Sequence, residues 1–175
     1  MRRYFACCGA CLTMACQAQL HGTGELYVWN GTLKAVTVRV AGRSPAQLTL
    51  FANGGQLLDA QVAGTYQVHA GDGAAPIEAV VREGKLTLVN LDGVGCFVRA
   101  DVSGMYRRDR SPAKVLEVYA NRPVIDIDSE VRVFPGESLP AVRPKTVYTF
   151  QRLTVIDCSI ARDESAVERY LRTLR

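Results

Sequence analysis

The chain has 175 residues, 48% of them hydrophobic and 22% charged, enough for one good-sized apolar core, so a single folded domain is expected. Its 21 basic and 17 acidic residues are interspersed and leave a net charge of +4, which excludes the concentrated positive field that nucleic acid requires.

The first twenty residues differ from all that follow. Arg2 and Arg3 precede the small and apolar run Tyr4–Ala18, and no acidic residue occurs before Glu25. A basic head, a short apolar middle and small residues near a cut site are the plan of a secretory leader, so residues 1–19 are expected to be a signal peptide and residues 20–175 the working domain. Leu12-Thr-Met-Ala-Cys16 resembles a bacterial lipoprotein signal and makes Cys16 the candidate lipidation site, although Leu12 stands four rather than three positions before the cysteine. Cys8 and Cys11 have CxxC spacing, but no second ligand pair or nearby histidine completes a metal set, and with Cys7 they read as leader filler. Cys96 and Cys158 then remain for the exported chain, either as one bridge, which would contribute roughly 4 kcal/mol, or as two separate buried thiols.

Leu26–Val40 holds two apolar-alternating runs around the turn formers Asn30, Gly31 and Thr32, the pattern of a hairpin. The same outline returns at Leu86–Ala100, where Leu86, Asn90, Val98 and Arg99 match Leu26, Asn30, Val38 and Arg39 without a gap, which suggests two similar hairpins. Tyr27 and Trp29 alternate with Leu26 and Val28, so one pair is expected in the core and the other outside. Were the aromatics outside, Tyr27 and Trp29 would form a ligand-binding platform for a sugar or an extended peptide.

Short period-two runs continue through Val36-Val38-Val40, Ala46-Leu48-Leu50, Leu58-Ala60-Val62, Tyr66-Val68-Ala70 and Ile77-Ala79-Val81, with turn formers at Asn53-Gly-Gly55 and Gly71-Asp-Gly73 between them. Strands of about six residues with a turn every ten or so predict a mainly β protein, an antiparallel immunoglobulin-like β-sandwich. Met105–Pro112 breaks the pattern and marks a candidate internal boundary near 105–112. Its Arg107, Arg108 and Arg110, with Lys114, form the densest basic cluster and a candidate grip on an anionic partner. Beyond it, Ile125, Ile127, Val131 and Val133 alternate with Asp126, Asp128, Glu130 and Arg132, and Phe134-Pro-Gly-Glu137 suits a type II turn. A last strand over Thr146–Asp157 leads into one C-terminal α-helix, with Val167, Tyr170, Leu171 and Leu174 as its apolar stripe and Ser165 with Glu168 as its capping pair.

Nucleophilic catalysis needs a base, and the two histidines are poorly placed: His21 follows the leader and His69 alternates with core residues. The nucleophile elbow, zinc-protease pair, phosphate loop and dinucleotide turn are all missing. Asp126 and Asp128 would stand about 7 Å apart on one strand face, a separation compatible with carboxylate-dependent hydrolysis but equally with a solvated strand. The sequence therefore predicts a protein without catalytic residues, cofactor or metal: an extracytoplasmic interaction or structural component of the bacterial cell envelope. A carbohydrate-binding module using Tyr27 and Trp29, or a hydrolase using Asp126 and Asp128, are the alternatives. The expected location is the periplasm or envelope, with secretion as the alternative. The expected partner is another envelope protein or a polysaccharide, not nucleic acid, and the membrane is reached only through a lipid anchor.

Overall fold

The structure of the protein, a computed structural model, describes residues 22–108, 110–128, 131–143, 145 and 149–173. The expected leader with Cys7, Cys8, Cys11 and Cys16, and His21 after it, lie outside the described residues. In chain order the strands are β1 (Thr23–Asn30), β2 (Val36–Ala41), β3 (Ala46–Leu50), β4 (Gly54–Val62), β5 (Gly64–Ala70), β6 (Ile77–Val81), β7 (Leu86–Asn90), β8 (Cys96–Asp101), β9 (Lys114–Ala120), β10 (Val124–Ile127), β11 (Val131–Val133) and β12 (Gln151–Ile156). They are followed by the helix α1 (Glu164–Thr173). The fold is mainly β, with three mostly antiparallel sheets and the one C-terminal helix.

The central sheet runs β4-β1-β7-β10, the first outer sheet β3-β2-β5-β6 and the second outer sheet β9-β8-β12-β11. Two pairs depart from the expected antiparallel plan: β1 with β7, and β11 with β12, are parallel. Strands buried on both faces must be apolar at successive positions rather than alternate ones. That is how Leu26-Tyr27-Val28-Trp29 in β1 and Leu86-Thr87-Leu88-Val89 in β7 are written. Leu26, Val28 and Val89 pack with Val38, Val40, Tyr66 and Val68 of the first outer sheet. Tyr27, Trp29, Leu86 and Leu88 pack with Phe97, Tyr119 and Leu153 of the second.

The expected hairpins are absent, because β1 pairs with β4 and β7, and β2 with β3 and β5. Each sequence echo is instead an arch from the central sheet to an outer one, β1 to β2 on one side and β7 to β8 on the other. β1 and β7 lie side by side, one residue out of step, with Leu26 opposite Thr87 rather than Leu86. In a strand such a slip exchanges faces, so the matching residues Leu26 and Leu86 enter different cores. The symmetry extends to the whole chain. Strands β1, β2, β3, β4, β5 and β6 hold the places that β7, β8, β9, β10, β12 and β11 hold in the other half, the last two being exchanged in chain order.

The second half carries a further layer. Val98 and Ala100 of β8 turn outward and pack with Ile156, Val167 and Leu171, which places α1 over the second outer sheet. The helix is capped by Asp163, whose carboxylate accepts from Ala166 N at 3.2 Å, ahead of the expected pair Ser165 and Glu168. The stretch 105–112 joins β8 to β9, which are antiparallel partners from Cys96–Ala120 to Asp101–Lys114. The turn at 134–137 has the expected form, with Gly136 at φ 87° and Glu137 N donating to Phe134 O at 3.1 Å.

The two arches differ at their matching asparagines. Asn30 is fully buried, its amide donating to Lys34 O at 2.8 Å and Phe51 O at 2.9 Å, and its carbonyl accepting from Thr32 N at 3.1 Å and Thr32 Oγ1 at 2.7 Å. Asn90, equally buried, has no partner for either side-chain atom among the described residues. A buried polar group that loses its partners costs far more than one that never had them. Asn30→Ala should therefore lower unfolding free energy by about 3 kcal/mol and Asn90→Ala by about 1 kcal/mol or less, as read by urea unfolding. Equal losses would mean that the first arch is not pinned by its asparagine.

Candidate functional site

The residues singled out by sequence do not converge. Tyr27 and Trp29 are 2% and 4% exposed. Tyr27 stacks on Phe134 with ring centroids 4.5 Å apart, and Trp29 meets Phe97 edge-on at 6.3 Å. Gly55 opposite Trp29 on β4 leaves the space that the Tyr27 hydroxyl fills, since a Cβ there would run into it. Burial pushes the Tyr27 hydroxyl's pKa well above the ordinary tyrosine value. The exposed platform is thus removed: both faces of β1 are core, and the alternation that implied one wet face fails because the strand has none.

Asp126 and Asp128 are neutralised from neighbouring segments. Arg82 pairs with Asp126 and Lys85 with Asp128, the latter at 2.6 Å. The Lys85 hydrogen bond and charge hold the Asp128 carboxyl below the usual carboxylate range. A hydrolytic general acid needs the opposite shift. The arrangement is an ion-paired strand face.

The basic cluster is divided by the connection it lies on. The 3-10 turn Ser103–Tyr106 carries the chain off the end of β8, Arg107 and Arg108 project from the following bend, and Lys114 opens β9 in register with Asp101. Arg110, with φ 46°, turns back to border a groove of about 650 Å³ between this connection and the end of α1. Met105, Tyr106, Ala113 and Leu171 give the groove an apolar lining, and Arg110 and Arg172 give it two guanidinium groups. Tyr106 is fixed by an edge contact with Phe150 at 5.5 Å and by donating its hydroxyl hydrogen to Pro140 O at 2.8 Å. An apolar floor with a cationic rim suits an amphipathic anion.

No family model, curated protein or solved structure matches the chain.

Cys96, at the start of β8, and Cys158, just beyond β12, form a disulfide with their α-carbons 5.2 Å apart and a sequence separation of 62. Their strands are neighbours, Cys96 standing opposite Ile156, so the bridge closes the tip of the second outer sheet. Among the described residues no three His, Cys, Asp or Glu side chains gather as a metal set, and no helix is long and apolar enough to cross a membrane.

Two groups escaped sequence reasoning. Arg99 reaches Glu117 at 3.0 Å, and Glu117 also accepts from the Tyr119 hydroxyl at 2.7 Å, pinning β8 to β9. Glu25 sits at a bulge where β1 and β4 lose register, and it lines a cleft of about 290 Å³ with Asp59 and the left-handed Ala60, φ 51°. Burial raises the Glu25 pKa, Arg132 opposes the rise and Asp59 adds to it. Neither has a signal in the sequence, because both depend on which strands become neighbours.

The two shifted carboxyls give opposite pH signatures. The Glu25 pKa is raised on folding, so its contribution is intact below the unfolded value and is lost as pH rises through the folded one; for Asp128 the stabilisation is present above the unfolded value and is lost as pH falls. Glu25→Gln should raise Tm near neutral pH by about 1–2 °C, and the gain should vanish near pH 3. Asp128→Asn should lower Tm at neutral pH only. Thermal scans of both variants at the two pH values decide, and a Glu25→Gln gain that persists in acid would contradict the assignment.

Proposed function

We propose that this chain is a non-catalytic, extracytoplasmic interaction or structural protein of the bacterial cell envelope. The observation that carries the reading is the Cys96–Cys158 disulfide, a bond that persists in oxidising compartments and is rare in the cytosol of mesophiles. The basic head, short apolar run and small residues of the first nineteen positions support the same direction, with Cys16 as the lipidation site. Secretion beyond the envelope is the alternative destination.

With this goes the finer fold reading, a β-sandwich in which facing sheets close over apolar layers, immunoglobulin-like in its short strands and cross-sheet connections, with the central sheet shared between two such layers. The partner this reading favours is an envelope protein or acidic polysaccharide engaging the groove at Arg110 and Arg172, with Arg107, Arg108 and Lys114 on the same connection. Carbohydrate recognition through Tyr27 and Trp29 loses its surface, and Asp126 and Asp128 are each engaged by a cation.

Mass spectrometry of the native N-terminus and of the two thiols tests the proposal. An acylated Cys16 or cleavage after Ala18, together with oxidised Cys96 and Cys158, is expected; a retained Met1 with both thiols free in a soluble cytosolic fraction would overturn it. Replacing both cysteines by serine should lower unfolding free energy by about 2–4 kcal/mol.

A further inference from the structure

At the end of the central sheet where both arches turn, two large apolar side chains stand in solvent: Leu33, 86% exposed, on the first arch, and Phe51, 76% exposed, on the turn between β3 and β4. They are neighbours, because the buried Asn30 amide bonds the carbonyls of both Lys34 and Phe51, and Asn53 N donates to Thr32 O at 3.1 Å across the same gap. The second arch lies alongside with Val94 exposed at its apex and Asp92 turned in against Gly31, its carboxylate accepting from Val94 N at 3.2 Å. Arg122 follows on the segment that Asn121 N and Pro123 O tie to this arch.

We propose that this tip is a membrane-docking surface, Leu33 and Phe51 entering the acyl boundary of a phospholipid bilayer while Lys34 and Arg122 meet its phosphate groups. Two features favour lipid over a protein partner. The apolar groups stand at loop apices rather than around a recess. The polar backbone beneath them is largely occupied from inside: the carbonyls of Thr32, Lys34 and Phe51 and the Thr32 amide all have intramolecular partners. A protein interface of this kind would call for open donors and acceptors, about one hydrogen bond per 100–200 Å². A bilayer penalises backbone groups left open, and those of Thr32, Lys34 and the Phe51 carbonyl are closed from inside. Apolar side chains beside cations, lying at the headgroup level, are the usual interfacial arrangement. The rigid Asn30 lock presents both side chains without an ordering cost.

The inference does not rest on export or on the groove: a silent tip would leave the envelope reading intact, and a cytosolic N-terminus would leave the tip intact. The test uses the full chain carrying Phe51→Trp, mixed with vesicles of phosphatidylethanolamine and phosphatidylglycerol. Trp29 is buried and serves as an internal constant. Emission of the new tryptophan should shift to the blue and be quenched by brominated acyl chains, which a lipid tether at the N-terminus would not produce. Leu33→Ser should weaken partitioning about tenfold or more. Val142→Ser, which removes an equally exposed apolar group outside the tip, 77% exposed, should leave it unchanged. Unchanged emission at saturating lipid, equal weakening by Val142→Ser, or a shift that appears only when envelope proteins are added would each overturn the proposal.

Discussion

The parallel pair of β1 and β7, covered by apolar side chains on both faces, is the constraint from which the rest of the molecule follows. Two strands with no wet face need a sheet on each side, and the outer sheets take opposite sides because the pair is one residue out of step. Large side chains on such strands, Tyr27 and Trp29 among them, are committed to packing and unavailable for ligands. Their counterparts in β7 are Thr87 and Val89, so the aromatic bulk of the second core comes from β1 and is met by Phe97 and Phe134. Thr87, a polar side chain in the middle of β7, is accommodated by donating to Val80 O at 3.0 Å.

Because the central pair has no exposed face, the exposed apolar and basic groups described above lie at the ends. At one end the arches turn, stiffened by Asn30 in the first and by the disulfide near the second. At the other, the connection from β8 to β9 and the end of α1 enclose the arginine-bordered groove. The halves share their strand order but not their outer cover: the Cys96-Val98-Ala100 face of β8 is apolar and is closed by α1, whereas β2 turns Val38 and Val40 inward and Thr37 and Arg39 outward. The arginine-bordered groove belongs to the second half, where one of its walls is the helix.

Much of the local structure is legible in the sequence. Period-two runs locate most of the strands, Pro135-Gly136 fixes its turn, and Val167 and Leu171 identify the buried stripe of the helix. The echo at Leu86–Ala100 identifies β1 and β7 as equivalent, but a turn signal alone cannot distinguish a hairpin from an arch, because both need the same Asn, Gly and Thr residues and differ only in which partner strand is nearest. The continuous apolar run Leu26-Tyr27-Val28-Trp29 carries the missing information. Read as doubly buried rather than half-buried, it implies a third sheet and removes the aromatic platform. Pattern also fails at Ala60, which a bulge turns outward, and at Asp163, where the cap precedes the expected pair. Of the candidate site residues, the Cys96–Cys158 bridge is one of two readings the sequence leaves open, whereas the separation of Arg110 from Arg107 and Arg108 depends on a backbone reversal that no spacing rule encodes.

Whether the doubly buried pair holds the fold together is decided most directly by native-state amide hydrogen exchange. Interior strands of a cooperative core open only with global unfolding, while edges open locally. The amides of Leu26–Trp29 and Leu86–Val89 should be the slowest in the protein and should share one opening free energy, with β3, β4 and β9 exchanging faster. Faster exchange in β1 and β7 than in either outer sheet would contradict the account.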